Sequence, residues 1–298
     1  MRKKIEKNKR IAIISDIHAN YSALKAVMAD IESKHIDTIY CLGDLVCKGV
    51  HPNECIELVR EKCQVVLLGN GDDRFSDDAE KFVDNKVEYE RIIYNQKLID
   101  KKYMKYLHNL PLNYEFYMSG NLVRLFHATA DDPYALVLSY EKDIRKKFDL
   151  FLPTSHTSDK IADIVIYGHI HYQYMDKLYG RTLVNCGSVG NSGCAVMHDK
   201  YDKYGEITNA HYLIITGNLN DKKQGQISFD FVSVPYDKEP ELQKDRELGN
   251  LIDGFERLIK KGYYLGLPGI MKMITDEGFI LLDDDADGKD KSTDKHKK

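Results

Sequence analysis

Three short apolar runs, "RIAIIS", "DTIYCLG" and "QVVLLG", alternate with two amphipathic segments over the first seventy residues. Each run is brief, rich in Ile, Val or Leu and ended by polar residues or glycine, which is how a buried strand reads. Between the first two, Leu24, Val27, Met28 and Ile31 fall at the i, i+3, i+4, i+7 spacing of one helix face. Between the second and third, "PNECIELVREK" predicts another helix with Asn53 as its N-cap. A strand–helix–strand–helix–strand order demands right-handed crossovers and a largely parallel sheet.

The ends of these runs are chemically unusual. "SDIHAN" places Asp16 and His18 two residues apart, and alternate residues of an extended chain point the same way. The second run ends on Gly43 and Asp44, the third on Gly69, Asn70, Gly71 and Asp72. Further on, "LVRLFH" ends on His127, and "IVIYGHIH" on Gly168, His169 and His171. Singly, each has an ordinary explanation: Asn-Gly is a turn signal and an aspartate after glycine can cap a helix. Together they set a carboxylate, amide or imidazole at the C-terminal end of strand after strand, the edge where open α/β sheets build their sites.

The remainder supplies more sheet. "YEFYMSGNLVRLFHA" reads as two strands turning at Gly120-Asn121, and "ADIVIYGHIH", "RTLVNCGSVG", "HYLIITG" and "QISFDFVSVPY" as further strands, without helices between them. They predict a second, more antiparallel sheet packed on the first. A charged, tyrosine-rich helical stretch (77–109) and a polar stretch (131–160) intervene, and residues 239–261 have helical periodicity. The tail carries Asp283, Asp285, Asp287 and Gly288 at the opening spacing of a calcium loop, but too few residues follow for a helix, so it reads as a solvated, disordered tail.

Composition sets the class. At 298 residues, 43% hydrophobic and 30% charged, the chain is ordinary for a soluble globular protein. A net charge of −4 argues against a general nucleic-acid or anionic-membrane binder. No apolar stretch approaches the roughly 20 residues of a membrane span, and "MRKKIEKNKR" lacks the apolar centre of a secretory signal. Six cysteines without a CxxC pair read as reduced and structural, and with them the expected location is cytoplasmic.

Asp16, His18, Asp44, Asn70, His127, His169 and His171 are seven N/O donors, too many for one first-row ion and suited to two that share a carboxylate. Two divalent ions about 3.5–4 Å apart can hold a hydroxide at neutral pH and grip phosphate oxygens. Such chemistry needs no serine or cysteine nucleophile, and the chain has neither a G-x-S-x-G elbow nor a Walker loop.

The ordered set "DIH", "GD", "GN", a lone histidine after a strand and "GHIH" resembles the calcineurin-like metallophosphoesterases. "LGDLVCKGVHPNECIELV", "NCGSVGNS" and "VPYD" resemble the bacterial stand-alone phosphoesterases of that superfamily. The resemblance implies a four-layer α/β/β/α sandwich of two mixed sheets flanked by helices, with a metal site at the C-terminal strand edge. With the resemblance marking the phosphoesterase domain over 10–236, composition and periodicity divide the rest into a basic leader over residues 1–9, a helical extension packed on that domain over 237–280 and a charged tail over 281–298. The resemblance implies that Asp16, His18 and His171 hold one ion, that Asn70, His127 and His169 hold the other, and that Asp44 bridges them. Manganese, iron, zinc and nickel all suit such ligands. The expected substrate is a small phosphorylated molecule, a phosphodiester or nucleotide. A protein-binding scaffold on the same fold and a nuclease are the competing readings.

One departure bears on chemistry. Where the family has "GNHD" or "GNHE", with the histidine protonating the leaving group, this chain has "GNGDD" and Gly71. His51, His156 and Asp72 are the candidates for a replacement acid and Asn20 and Arg74 for contacts to substrate, with capping of the helix it precedes an equal reading for Asn20.

Overall fold

The computed structural model of the protein describes residues 8–74, 93, 95–139, 141–192, 209–249 and 259. Among the described residues the ten strands are β1 (Lys9–Ile14), β2 (Ile39–Cys41), β3 (Val65–Val66), β4 (Asn113–Met118), β5 (Asn121–Phe126), β6 (Ile164–Tyr167), β7 (Tyr174–Leu178), β8 (Arg181–Asn185), β9 (Ala210–Gly217) and β10 (Ser228–Val234). Helices among the described residues are α1 (Tyr21–Ser33), α2 (Pro52–Lys62), the single turn α3 (Asn70–Asp73), α4 (Lys101–His108), α5 (Ile144–Asp149) and α6 (Glu239–Glu247).

The strands form two five-stranded mixed sheets, ordered β10-β9-β1-β2-β3 and β4-β5-β6-β8-β7. β1, β2 and β3 are parallel, as the crossovers require. β9 and β10, expected in the second sheet, instead extend the first, β9 pairing antiparallel with β1. The second sheet is thus no purer than the first: β5, β6 and β8 run parallel, with an antiparallel strand at each edge. β7 went unread because "YMDKL" alternates only weakly; its turn into β8 is set by positive φ at Tyr179 and Gly180.

Side-chain alternation sorts the layers. Ile11 and Ile13 face the second sheet, meeting Val123, Leu125, Ile164 and Ile166. Ala12 and Ile14 face the other way, against Leu24, Val27 and Ile31 of α1 and Ile56 and Val59 of α2. On the far side, Phe126, Val165, Tyr167 and Leu183 pack under Val137, Leu138, Leu150 and Phe151. That makes the four layers α/β/β/α.

Buried Arg124 straps the polar 131–160 stretch to the sheet, donating to the carbonyls of Phe151, Leu152 and Lys160 and to Glu115 Oε1. Two local expectations shift by a residue or two. The β4–β5 turn centres on Ser119 and Gly120, both at positive φ, rather than on Gly120-Asn121. α2 takes His51 as N-cap, because Pro52 suits the first helical position; Asn53 instead ties the helix to Leu98 and Asp100. Cys41, Cys47, Cys55, Cys63 and Cys186 form no disulfide with one another. Cys194, the helical periodicity expected over 250–258 and the charged tail lie outside the described residues. Among the described residues, no helix is long and apolar enough to cross a membrane.

Candidate metal centre

The loops that leave β1, β2, β3, β5 and β6 meet at one edge of the sandwich. Asp16 N–H donates to Gly43 O at 3.0 Å, and His18 and Ala19 N–H to Asp44 and Leu45 O, each at 2.9 Å. Val189 and Gly190 N–H return to Ser15 and Asp16 O at 2.9 Å. These ladders require close backbone approach. A Cβ on Gly69 would overlap Asp44, and one on Gly168 would overlap Ser15 and Asp16, so only glycine fits either position. Asp16, His18, Asp44, His169 and His171 all adopt positive φ, between 51° and 68°. Non-glycine residues rarely do so, and they concentrate at functional sites.

All seven expected ligands are drawn into this edge. His18 Nε2 lies 3.0 Å from His171 Nε2, 3.8 Å from Asp16 Oδ1 and 3.6 Å from Asp44 Oδ2. His127 Nε2 lies 3.5 Å from Asp44 Oδ1 and 3.0 Å from Asn70 Oδ1. His171 Nε2 is 3.2 Å from Asp16 Oδ1. His169 sets its ring edge-on to that of His127, with centroids 5.1 Å apart, and its backbone N–H donates to Asp16 Oδ2 at 3.0 Å. Two groups of donors are compact enough to hold one ion each: Asp16, His18 and His171, and Asp16, Asp44 and His127. Asp16 belongs to both groups, and Asp44 faces His18 through Oδ2 and His127 through Oδ1.

The tautomers decide what this cluster can bind. His18 Nδ1 faces Val46 O, His127 Nδ1 faces Leu42 O and His171 Nδ1 faces Asn191 O, at 3.3, 3.0 and 2.8 Å. A carbonyl only accepts, so each Nδ1 carries the proton and each Nε2 presents a bare lone pair. Burial, together with the Lys48 ammonium, holds His18 and His171 below the ordinary imidazole range; burial and His127 do so for His169. Neutral lone pairs therefore face one another and two carboxylates across about 3–4 Å. Asp16 Oδ1 is fully buried with no hydrogen-bond donor among the described residues. Lone pairs and carboxylate oxygens crowded against one another fit divalent cations, and the imidazole, carboxylate and amide mixture suits first-row metals.

That burial carries a pH consequence. Unfolded imidazoles take up protons near pH 6.5, whereas His18, His169 and His171 do so in the fold only at lower pH. Below about 6.5 the unfolded state binds more protons, so stability present above that pH is lost as pH falls through the depressed folded values, by up to about 1.4 kcal/mol per pH unit for each group. Melting temperatures of chelator-treated protein fall from pH 7 to pH 5. A flat profile would mean the imidazoles take up protons in the fold as readily as in the unfolded chain, and a rise toward pH 5 that they are already charged in the fold.

Supporting residues were legible as motifs but not as roles. Asp72 accepts from the backbone N–H of Asp44, Leu45, Val46 and Gly69 at 2.8–3.3 Å, clamping the Asp44 loop. Burial first, then the Asp44 charge, pushes its carboxyl up. In "NCGSVGN", Asn191 orients His171, and Ser188 Oγ donates to Asp16 O at 2.8 Å. Asn20 is not aimed at substrate: its Oδ1 caps α1 at Ala23 N–H, and its Nδ2 donates to Gly190 O and Tyr236 OH. The Arg74 guanidinium lies 5.7 Å from the ring of Tyr134, whose hydroxyl donates to Asp73. Two residues that sequence reading missed stand here, Tyr134 and Lys48; neither belongs to a recognisable ligand pattern.

The profile of the calcineurin-like phosphoesterase superfamily domain matches residues 10–200. An uncharacterized protein of Methanocaldococcus jannaschii, MJ0912, is 34% identical over 215 residues, covering 68% of this chain and 87% of that one. Among solved structures, a metallophosphoesterase from Sphaerobacter thermophilus aligns at 23% identity with a TM-score of 0.60, over 86% of this chain and 99% of its own. A hypothetical protein from Pyrococcus horikoshii, PH1004, aligns at 17% identity with a TM-score of 0.68, over 85% of this chain and 98% of its own. Both share the two-sheet fold.

Proposed function

The chain belongs to the calcineurin-like phosphoesterase superfamily, and from that premise we propose that it hydrolyses phosphodiesters or nucleotide-type phosphoesters at a centre of two divalent ions. One observation carries the reading: Nε2 lone pairs of His18, His127 and His171 converge with Asp16 and Asp44, and no donor among the described residues satisfies Asp16 Oδ1. Asp16, His18 and His171 would hold one ion, Asn70, His127 and His169 the other, with Asp44 between. Ions so held supply hydroxide at neutral pH and neutralise phosphate charge. The chain's own part is to keep the imidazoles neutral and oriented, exclude water behind them, and offer Arg74 to a phosphate oxygen. Manganese suits the donor set, and the cysteine spacing favours a cytoplasmic setting.

The leaving group distinguishes this protein within that chemistry. Gly71 has no proton to give. Asp72 spends both oxygens on backbone N–H groups, His51 is paired with Glu241, and His156 with Asp131 at the surface. None of the three expected replacement acids is therefore turned to a substrate. An ester whose leaving group needs little protonation is the preferred substrate. In a manganese-supplemented assay, bis-p-nitrophenyl phosphate turns over about 10²–10⁴-fold faster than a simple alkyl phosphate, beyond their intrinsic difference. Equal enhancement of both would show that another acid operates. Elemental analysis of purified protein, with a panel of monoesters, diesters and dinucleotides, tests the wider proposal; a protein that binds no ion and cleaves none of them refutes it.

A further inference from the structure

Lys48 belongs to no ligand pattern, yet its ammonium stands among the ligands. Nζ lies 2.9 Å from His18 Nε2 and 3.5 Å from His171 Nε2. Both nitrogens belong to the same proposed ion position. Because His18 Nδ1 is turned to Val46 O, Nε2 has a single lone pair to give. An ion would use that lone pair at about 2.0–2.1 Å. An ammonium N–H at hydrogen-bond distance uses it too, and the two cations repel, so they cannot share it.

The backbone makes this placement deliberate. Cys47 and Lys48 both adopt left-handed φ, 71° and 70°, which is uncommon outside glycine. The segment is fixed on either side, by Gly49 N–H to Cys47 O at 2.9 Å and His51 N–H to Ala19 O at 3.0 Å. A strained turn thus aims a lysine at the lone pairs of two ligands.

We propose that Lys48 couples ion binding to anion binding at this site: its ammonium and one ion compete for the His18 lone pair, and a bound phosphate takes the ammonium over. The coupling rests on the metal-centre reading given under the proposed function. An ammonium is a strong phosphate donor, and a phosphate drawn to the centre gives it a better partner than a neutral imidazole. By linkage, the anion then favours the ion and the ion favours the anion, to the same degree.

The test is a manganese titration read from the electron paramagnetic resonance signal of the free ion, with and without inorganic phosphate. It compares the native protein with Lys48→Met and Lys48→Gln, both unbranched replacements. Without phosphate, each variant binds one ion about tenfold more tightly than the native protein, and phosphate strengthens binding by a larger factor in the native protein than in either variant. Equal or weaker binding by both variants, or an equal phosphate effect in all three proteins, overturns the role of Lys48 while leaving the metal centre intact. Absence of manganese binding in all three overturns the centre, and the coupling with it.

Discussion

Asp44→Asn loses bound metal and lowers phosphoester hydrolysis by about 10³-fold or more. The substitution keeps the shape of the side chain, so the loss reports charge and donor chemistry rather than packing. Asp44 Oδ1 accepts the Gly71 N–H at 2.6 Å, and Oδ2 faces His18 Nε2 at 3.6 Å. An asparagine must turn its oxygen to Gly71 to keep that bond, which leaves its NH₂ facing the His18 lone pair. An amide NH₂ cannot ligate an ion, and it donates to the nitrogen that should. Metal content by elemental analysis and turnover of bis-p-nitrophenyl phosphate check the result together. Full metal occupancy with full turnover would mean that Asp44 does not bridge.

Gly71→His, which places at this position the residue type the family uses, does not create an acid here. A Cβ on residue 71 would sit 2.9 Å from Asp44 Oδ1, 3.1 Å from Asp44 Cγ and 3.2 Å from Val46 O. Asp44 has little room to yield, because its oxygen is held by the Gly71 N–H and its backbone by Asp72. The imidazole therefore enters at the expense of the ligand, and ion affinity falls by about 10–100-fold, as it does when a ligand's support is disturbed. Gly71→Ala shows the same loss of affinity without adding a titratable group. Hydrolysis of alkyl phosphates does not rise in either variant. Faster alkyl phosphate turnover in Gly71→His would show that the loop can accommodate the side chain and that the glycine is only a missing acid.

The fold was legible where the signal is local. Strand β1, helix α1 with its buried face of Leu24, Val27, Met28 and Ile31, and the parallel β1-β2-β3 core follow from side-chain period and chain order. The seven donors were legible for a related reason. A ligand-type residue just after a strand, flanked by glycine, is a pattern of neighbours along the chain, and parallel strands carry such ends to one edge. β9 and β10 were assigned to the wrong sheet, because a short apolar strand reads the same whichever neighbour it pairs with. Asn20 shows the same limit at one residue: an asparagine between a metal motif and a helix can serve either, and the distant Gly190 and Tyr236 claim its amide.

The sequence by itself determined the parallel core, the presence of a second packed sheet and the set of donor groups, since periodicity and strand-end chemistry need only neighbours in the chain. Tertiary structure alone decided which carbonyl fixes each imidazole, that Asp72 clamps a loop rather than supplying an acid, that Gly71 is packed against Asp44, and that Lys48 reaches His18. Those partners are separated by 20 to 85 residues in sequence or by a turn whose φ the residue names do not reveal. Hydrogen bonds of that kind are settled by distance and angle in the folded chain, and no spacing along the sequence encodes them.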